Sequence, residues 1–300
     1  MSDASHSFAL SHSAITRYHI TAAPVADFLL PPHPGSMLRG ALGHALRFKF
    51  CQCEHTDAHQ PDCLYQLIFE GLRKQQQDGI PAFVMTPLDA QKKLKAHQPF
   101  QFDLTLLGLP LSMHEAFLDA LQMGLYRGLG RDNTPCELVE YQQVPLCFTP
   151  LQQAATLHLT TPWMIKRKGK IMTAETTSLH DVLIALAQRQ RRINQSLGLN
   201  LAVPDNTQLL QLADKVTVQT SLENVSWQRH SQRQSVKHPL RGIKGVLNIH
   251  HPDPTGLAPL SALLSLGCIL HGGGKTAFGL GGLALGASNN AALLPASYSF

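Results

Sequence analysis

The sequence predicts an α+β protein of two ferredoxin-like (RRM-like, βαββαβ) domains in tandem, closed by a C-terminal glycine-rich loop. Three observations lead there. Apolar periodicity alternates between strand-like and helix-like spacing in the order β-α-β-β-α-β, and does so twice. The 300 residues, 44% of them hydrophobic, suit two cores of roughly 150 residues each better than one. Finally, HGGGKTAFGLGG, near the C-terminus, sits between an apolar helix and a short strand, where a plain turn would need fewer glycines. The expected domains are residues 1–150 and 151–300. No sequence repeat links the halves, so the duplication rests on element order alone.

In the first cycle, FALSHSAITRYHIT (8–21) reads as a strand with mixed faces, and PPHPGS (31–36) punctuates before a helix starting near Ser36. In MLRGALGHALRF, Leu38, Leu42, Ala45 and Leu46 form one apolar stripe, with Arg39, Gly43 and Arg47 on its flank and His44 off it. A loop rich in Cys and His follows. Strands are then expected at 82–87 and 99–109, a helix at about 113–126, and a strand near 137–148.

The second cycle opens with the strand ATLHLTTPWMI (155–165) and turns over KRKGK. SLHDVLIALAQRQRRINQSLG reads as a helix, with Ser178 and Asp181 as its capping box and Leu179, Val182, Leu183, Leu186 and Ile193 as its apolar face. Strands are expected at 215–225, around 226–237 and at 241–250. An apolar helix near 257–270, the glycine-rich loop and the strand LALGA end the cycle.

The formal net charge is +5, but its distribution says more than its size. No Asp or Glu follows Asp253, none lies between Glu223 and Asp253, and 163–174 holds Lys166, Arg167, Lys168 and Lys170 with no acid. If 227–238 is extended, Arg229, Ser231, Arg233, Ser235 and Lys237 point one way and His230, Gln232, Gln234 and His238 the other. Neither face can be a dry core, so the stretch is a solvated edge strand or covers a polyanion. Repeated Arg and Lys favour phosphate. Six scattered cysteines exclude a disulfide scaffold and fit a reducing cytoplasm. The N-terminus lacks a basic region followed by an apolar run, and no stretch of about 20 apolar residues occurs, so neither export nor membrane insertion is expected.

GGGKT (272–276) is not a P-loop, because the first glycine of that motif would fall on Ile269 and the helix-to-strand context is reversed. What remains is Gly272, Gly273, Gly274 and Lys275, a run of bare backbone amides beside a cation that an RNA backbone could approach. Cys51, Cys53, His55, His59 and Cys63 carry donors that zinc accepts, but not at the spacing of a zinc ribbon. They are read as reduced loop cysteines with zinc as the alternative, and no metal or cofactor is assigned. A general base for RNA cleavage must be exposed, titrate near neutrality and stand beside cations that hold phosphate. Among sixteen histidines, His44 meets this best, with Arg39, Arg47 and Lys49 nearby. Tyr18 and His19 on the preceding strand come next.

Several separated blocks then resemble a known family. These are MLRGALGHALR with the cysteines and CLYQLIFEG after it, GLGRDNTPCELVEY, TTPWMIKRKGK, the helix with RQRRI, WQRHSQRQSVKHPLRGIKGVL and GGGKTAFGLGGL. In that order, over about residues 30–285, the chain resembles the CRISPR-associated endoribonucleases that process precursor CRISPR RNA, members of the repeat-associated mysterious protein (RAMP) superfamily.

The resemblance implies tandem ferredoxin-like domains and a metal-independent cut within the repeat RNA. The 2′-hydroxyl attacks the neighbouring phosphate, leaving a 2′,3′-cyclic phosphate. It implies a histidine base on the first helix, hence His44, with Tyr18, Arg39 and Lys49 as assistants. It assigns RNA grip to the C-terminal domain through Lys166, Arg167, Lys168, Lys170, Arg229, His230, Arg233, Lys237, Lys244, Gly272, Gly273, Gly274 and Lys275. Partners would be precursor crRNA and other Cas proteins. The chain departs from the family in the histidines within its cysteine block and in His230, which stands where an aromatic residue is usual. A non-catalytic RNA-binding RAMP subunit is the rival reading. A tandem RRM protein outside CRISPR systems is weaker, because no RNP-like aromatic pair is visible.

Overall fold

A computed structural model describes residues 15–53, 59–60, 63–71, 79–230 and 237–286. They fall into two compact units. The first comprises the described residues up to Leu146 together with Arg192–Leu201 and Ala277–Gly279. The second comprises Cys147–Arg191, Ala202–Thr276 and the described residues from Leu280.

Alternation builds the first unit. Strand β1 (Ile15–Pro24) buries Tyr18, Ile20 and Ala22 on one face and leaves Arg17, His19 and Thr21 half-buried on the other. After it come β2 (Phe28–Leu30), helix α1 (Gly35–Phe50) and a π-helical turn, Gln66–Glu70. The unit continues with β3 (Phe83–Pro87), β4 (Lys92–Leu94), β5 (Phe100–Leu107), helix α2 (His114–Arg127) and β6 (Cys136–Val144). The sheet order is β3-β5-β1-β6, antiparallel throughout. Counted along the four strands this is second, third, first, fourth, the ferredoxin-like order. The α1 stripe read from sequence, Leu38, Leu42, Ala45 and Leu46, is buried with Phe117, Leu121 and Leu125 of α2 and with Phe83, Phe100 and Phe102 of the sheet. Gly124 lets the helices meet: a Cβ there would lie 2.7 Å from the Ala41 carbonyl oxygen.

The second unit repeats the plan with β7 (Ala154–Trp163), a small hairpin of β8 (Lys166–Arg167) and β9 (Lys170–Ile171), and helix α3 (Leu179–Leu197). Then come helix α4 (Asn206–Ala213), β10 (Thr217–His230), β11 (Lys237–His250), helix α5 (Ser261–Leu270) and β12 (Leu283–Gly286). Its sheet order, β10-β11-β7-β12, is again second, third, first, fourth. Trp163 is fully buried, and its indole N–H donates to the Gly282 carbonyl at 2.7 Å. The expected capping box of α3 forms, with Asp181 accepting from the Ser178 N–H at 3.0 Å and Ser178 Oγ accepting from the Asp181 N–H at 3.3 Å.

Several expected boundaries are corrected. The segments 215–225 and 226–230 are one continuous strand, and the strand expected from 241 already runs from Lys237. The reason is that β11 meets β7 only from Ile243 onward, so residues 237–242 and their partners in β10 pair with each other alone. Where strands pair beyond the four-stranded sheet, burial imposes less apolar alternation to read. The apolar helix near 257–270 opens with a 3₁₀ turn, Ala258–Leu260, and the strand near 137–148 stops at Val144. The β2–β4 pair and α4 were not anticipated: three-residue strands are too short to show a period, and α4 buries only Leu209. Residues 8–14 of the first expected strand and 231–236 of the basic stretch lie outside the described residues. No helix among the described residues is long and apolar enough to cross a membrane.

Candidate functional site

Helix α1 presents two different surfaces beside its buried stripe. Gly35, Arg39 and Gly43, four residues apart, share one line along the helix. The Phe278 carbonyl crowds the place of a Gly35 side chain, and the Phe69 ring crowds that of Gly43. Between them the Arg39 guanidinium lies over both rings, 4.0 Å from the Phe69 centroid and 4.8 Å from that of Phe278. All of these residues belong to the first unit. Arg39, expected beside a phosphate, thus joins α1 to the π-helical turn and to the 277–279 segment.

His44 occupies the exposed surface of α1. One turn earlier stands Gly40, where an added Cβ would meet nothing within 4 Å. The imidazole is therefore flanked by bare helix backbone that a ligand can approach. Alanine at Gly40 should stabilise the helix by about 0.5–1 kcal/mol. A thermal melt of Gly40→Ala checks this: a lowered midpoint would show that the Gly40 position is not open. Lys49 pairs with Asp119 across an exposed 3.0 Å contact, which competing phosphate can replace at little cost.

Tyr18 sits elsewhere. It is a core residue whose hydroxyl lies 2.9 Å from His114 Nδ1, while His114 Nε2 lies 3.1 Å from the Leu109 carbonyl oxygen. A carbonyl only accepts, so Nε2 carries a proton, and on the neutral ring Tyr18 donates to Nδ1. Burial, with Tyr141 adding to it, raises the Tyr18 pKa. His114 gave no sequence signal. His19, a candidate from the sequence, joins a group on the opposite face of β1, where buried Asp103 accepts from the Arg17 guanidinium and lies 2.8 Å from His19 Nδ1. His19 and Asp103 are 84 residues apart in the chain and become direct cross-strand partners only through the β1–β5 register.

In the second unit the residues of KRKGK are all exposed on the β8–β9 hairpin. Lys168 and Gly169 at its tip have φ of 49° and 79°, the positive pair that a two-residue type I′ turn requires. Arg167 reaches back to Asp181 at 3.2 Å, whereas Lys166, Lys168 and Lys170 extend the basic surface. Two amides of the glycine-rich loop are already engaged by the protein. The Gly272 N–H donates to the Gly281 carbonyl at 2.8 Å and that of Gly274 to the Met164 carbonyl at 2.9 Å. A Gly272 side chain would strike the Trp163 indole, so packing alone demands glycine there. Gly273 is half-buried and Lys275 exposed.

Arg229, His230 and Lys237 lie in the distal part of the β10–β11 arm, with His230 opposite Lys237 in register. Arg233 lies outside the described residues, as does His55 of the cysteine block. Lys244 stands opposite Glu223, so its charge shares a face with a carboxylate. Among the described residues Cys51, Cys53, His59 and Cys63 converge, their sulfur and ring-nitrogen atoms all within 4.8 Å of one another.

Two antiparallel units of order second, third, first, fourth define a tandem ferredoxin-like protein. Solved structures show the same fold. Cas6 of Thermus thermophilus in a product complex is 16% identical with a TM-score of 0.57, over 91% of this chain and 99% of that one. A second Cas6 product complex is 17% identical with a TM-score of 0.55, over 91% and 100%. A partial Cas6-RT-Cas1–Cas2 complex is 12% identical with a TM-score of 0.60, over 95% of this chain and 48% of the other. No curated protein matches the chain. Residues 11–160 match the family AF_1859_N, an N-terminal domain, and the chain belongs to that family.

Proposed function

We propose that this protein is a metal-independent endoribonuclease that cleaves CRISPR repeat RNA in precursor crRNA to give mature crRNA. The carrying observation is His44: an exposed imidazole on the first helix of a fold shared with Cas6 proteins solved with their products. His44 takes the proton from a ribose 2′-hydroxyl, and the 2′-oxygen bonds to the adjacent phosphorus. The bond from phosphorus to the 5′-oxygen breaks, and that oxygen leaves as a hydroxyl after taking up a proton. The products are a 2′,3′-cyclic phosphate and a 5′-hydroxyl. Positive charge must stabilise the phosphorane. Lys49 supplies it near the helix, while Arg39 and Tyr18 act by holding α1 and β1 in place.

Lys166, Lys168, Lys170 and the basic arm grip the RNA backbone. Gly273 and Lys275 line its path. The product then passes to other Cas proteins, a reading supported by the relative solved as a Cas6-RT-Cas1–Cas2 complex.

One observation favours the rival, a non-catalytic RNA-binding subunit. Arg39 and Tyr18 are engaged with protein groups, and Lys49 is paired. Cleavage of an end-labelled repeat RNA in excess EDTA separates the two readings. The enzyme should cut at one position, leave a cyclic phosphate, and fail on RNA carrying a single 2′-deoxy at that position. Tight binding without cleavage, across several repeat RNAs, would establish the rival.

A further inference from the structure

The cysteine block is where the structure departs furthest from a bland loop. Cys51 ends α1, its N–H bonded to the Arg47 carbonyl at 2.9 Å. Cys63 stands just before the π-helical turn and accepts there from the Leu67 N–H at 3.0 Å. His59 brings Nδ1 to 3.5 Å from both Cys51 Sγ and Cys63 Sγ. One ring nitrogen has one proton or one lone pair, so it cannot hydrogen-bond well to two thiols at once. Equal separation from two sulfurs is instead the geometry of ligands around a common centre. With zinc–sulfur bonds near 2.3 Å and zinc–nitrogen bonds near 2.0–2.1 Å, a tetrahedral angle sets sulfur and nitrogen about 3.6 Å apart. Cys53 completes the set, and its sulfur accepts from the Gln60 N–H at 3.3 Å. The cysteines are not paired as disulfides.

We propose that Cys51, Cys53, His59 and Cys63 bind a structural zinc ion. Three thiolates and one imidazole leave no open position, so the ion takes no part in RNA chemistry. Its effect is mechanical. It clamps the end of α1 to the segment that carries Tyr65 and Phe69. Tyr65 packs on the His59 ring at 5.2 Å, and Phe69 stacks on Tyr65 and sits under Arg39. The metal would therefore fix the register of the helix bearing His44 without touching substrate, which makes a zinc-containing protein compatible with cleavage that needs no catalytic metal.

The test is the metal content of the full chain, purified reduced and desalted without added metal, alongside cobalt titration of chelator-stripped protein. About one zinc per chain is expected, with a thiolate-to-cobalt charge-transfer band and the visible bands of a tetrahedral site. Cys51→Ser and Cys63→Ser should each lose the zinc, whereas Cys147→Ser should keep it. Where a ligand variant fails to fold, the cobalt spectrum of the unaltered chain carries the result. Absence of both zinc and a tetrahedral cobalt spectrum in fully reduced protein overturns the proposal, as does zinc retained equally by the ligand variants. The readout is metal, not RNA, so failure of the cleavage reading leaves it unaffected.

Discussion

Replacing His44 with alanine should slow repeat-RNA cleavage by roughly 10²- to 10⁴-fold, the usual contribution of a positioned general base, while RNA affinity stays close to that of the unaltered protein. The two parameters separate because the imidazole is asked to move a proton, a step made only in the transition state. Unfolding will not confound the result. His44 is exposed on a helix surface, and alanine is the stronger helix former. Single-turnover cleavage, a binding titration and a thermal melt on the same preparation are the measurements. An unchanged rate would move the base elsewhere. A parallel loss of affinity would make His44 an RNA-binding residue instead.

The second large effect is expected in the second unit. Arg229→Ala together with Arg233→Ala should weaken RNA binding and flatten its dependence on salt. Each phosphate contact contributes a slope of roughly 0.7 on single-stranded and 0.9 on double-stranded nucleic acid, so losing both lowers the slope by about 1.4 to 1.8. No acidic residue occurs between Glu223 and Asp253, and among the described residues, 237–242 pair with β10 and not with β7. The arm's charge thus lacks a nearby carboxylate in sequence. Binding measured from low to high salt decides the matter: an unchanged slope would show that the arm does not touch RNA. The cleavage rate of bound RNA should change little, in contrast to His44→Ala.

How much of this was legible beforehand depended on whether a residue's role is local. The buried stripe of α1, the capping box of α3 and the exposure of His44 follow from helical spacing, and the structure places them as expected. The turn over KRKGK was readable too, although not that Arg167 would be drawn back to Asp181. Roles that depend on distant partners were not readable. Arg39 looks like a free cation in sequence, yet it lies between Phe69 and Phe278, which come from remote parts of the chain. Tyr18 looks like a candidate assistant on a half-polar strand, and the register of the sheet turns it inward to His114. Gly272 looks like part of a phosphate cradle, and its first obligation is to the Trp163 ring.

By itself, then, the amino-acid order determined the alternation of elements, the two ferredoxin-like cycles, the concentration of positive charge in the C-terminal half and the accessible histidine. Each of these is a property of nearest neighbours along a strand or helix. Only the tertiary structure decided which cations are occupied, that Thr217–His230 and Lys237–His250 pair along their whole lengths, and that Cys51, Cys53, His59 and Cys63 converge. Those outcomes turn on distances between side chains. Sheet register and helix packing set such distances, and no local period in the sequence encodes them.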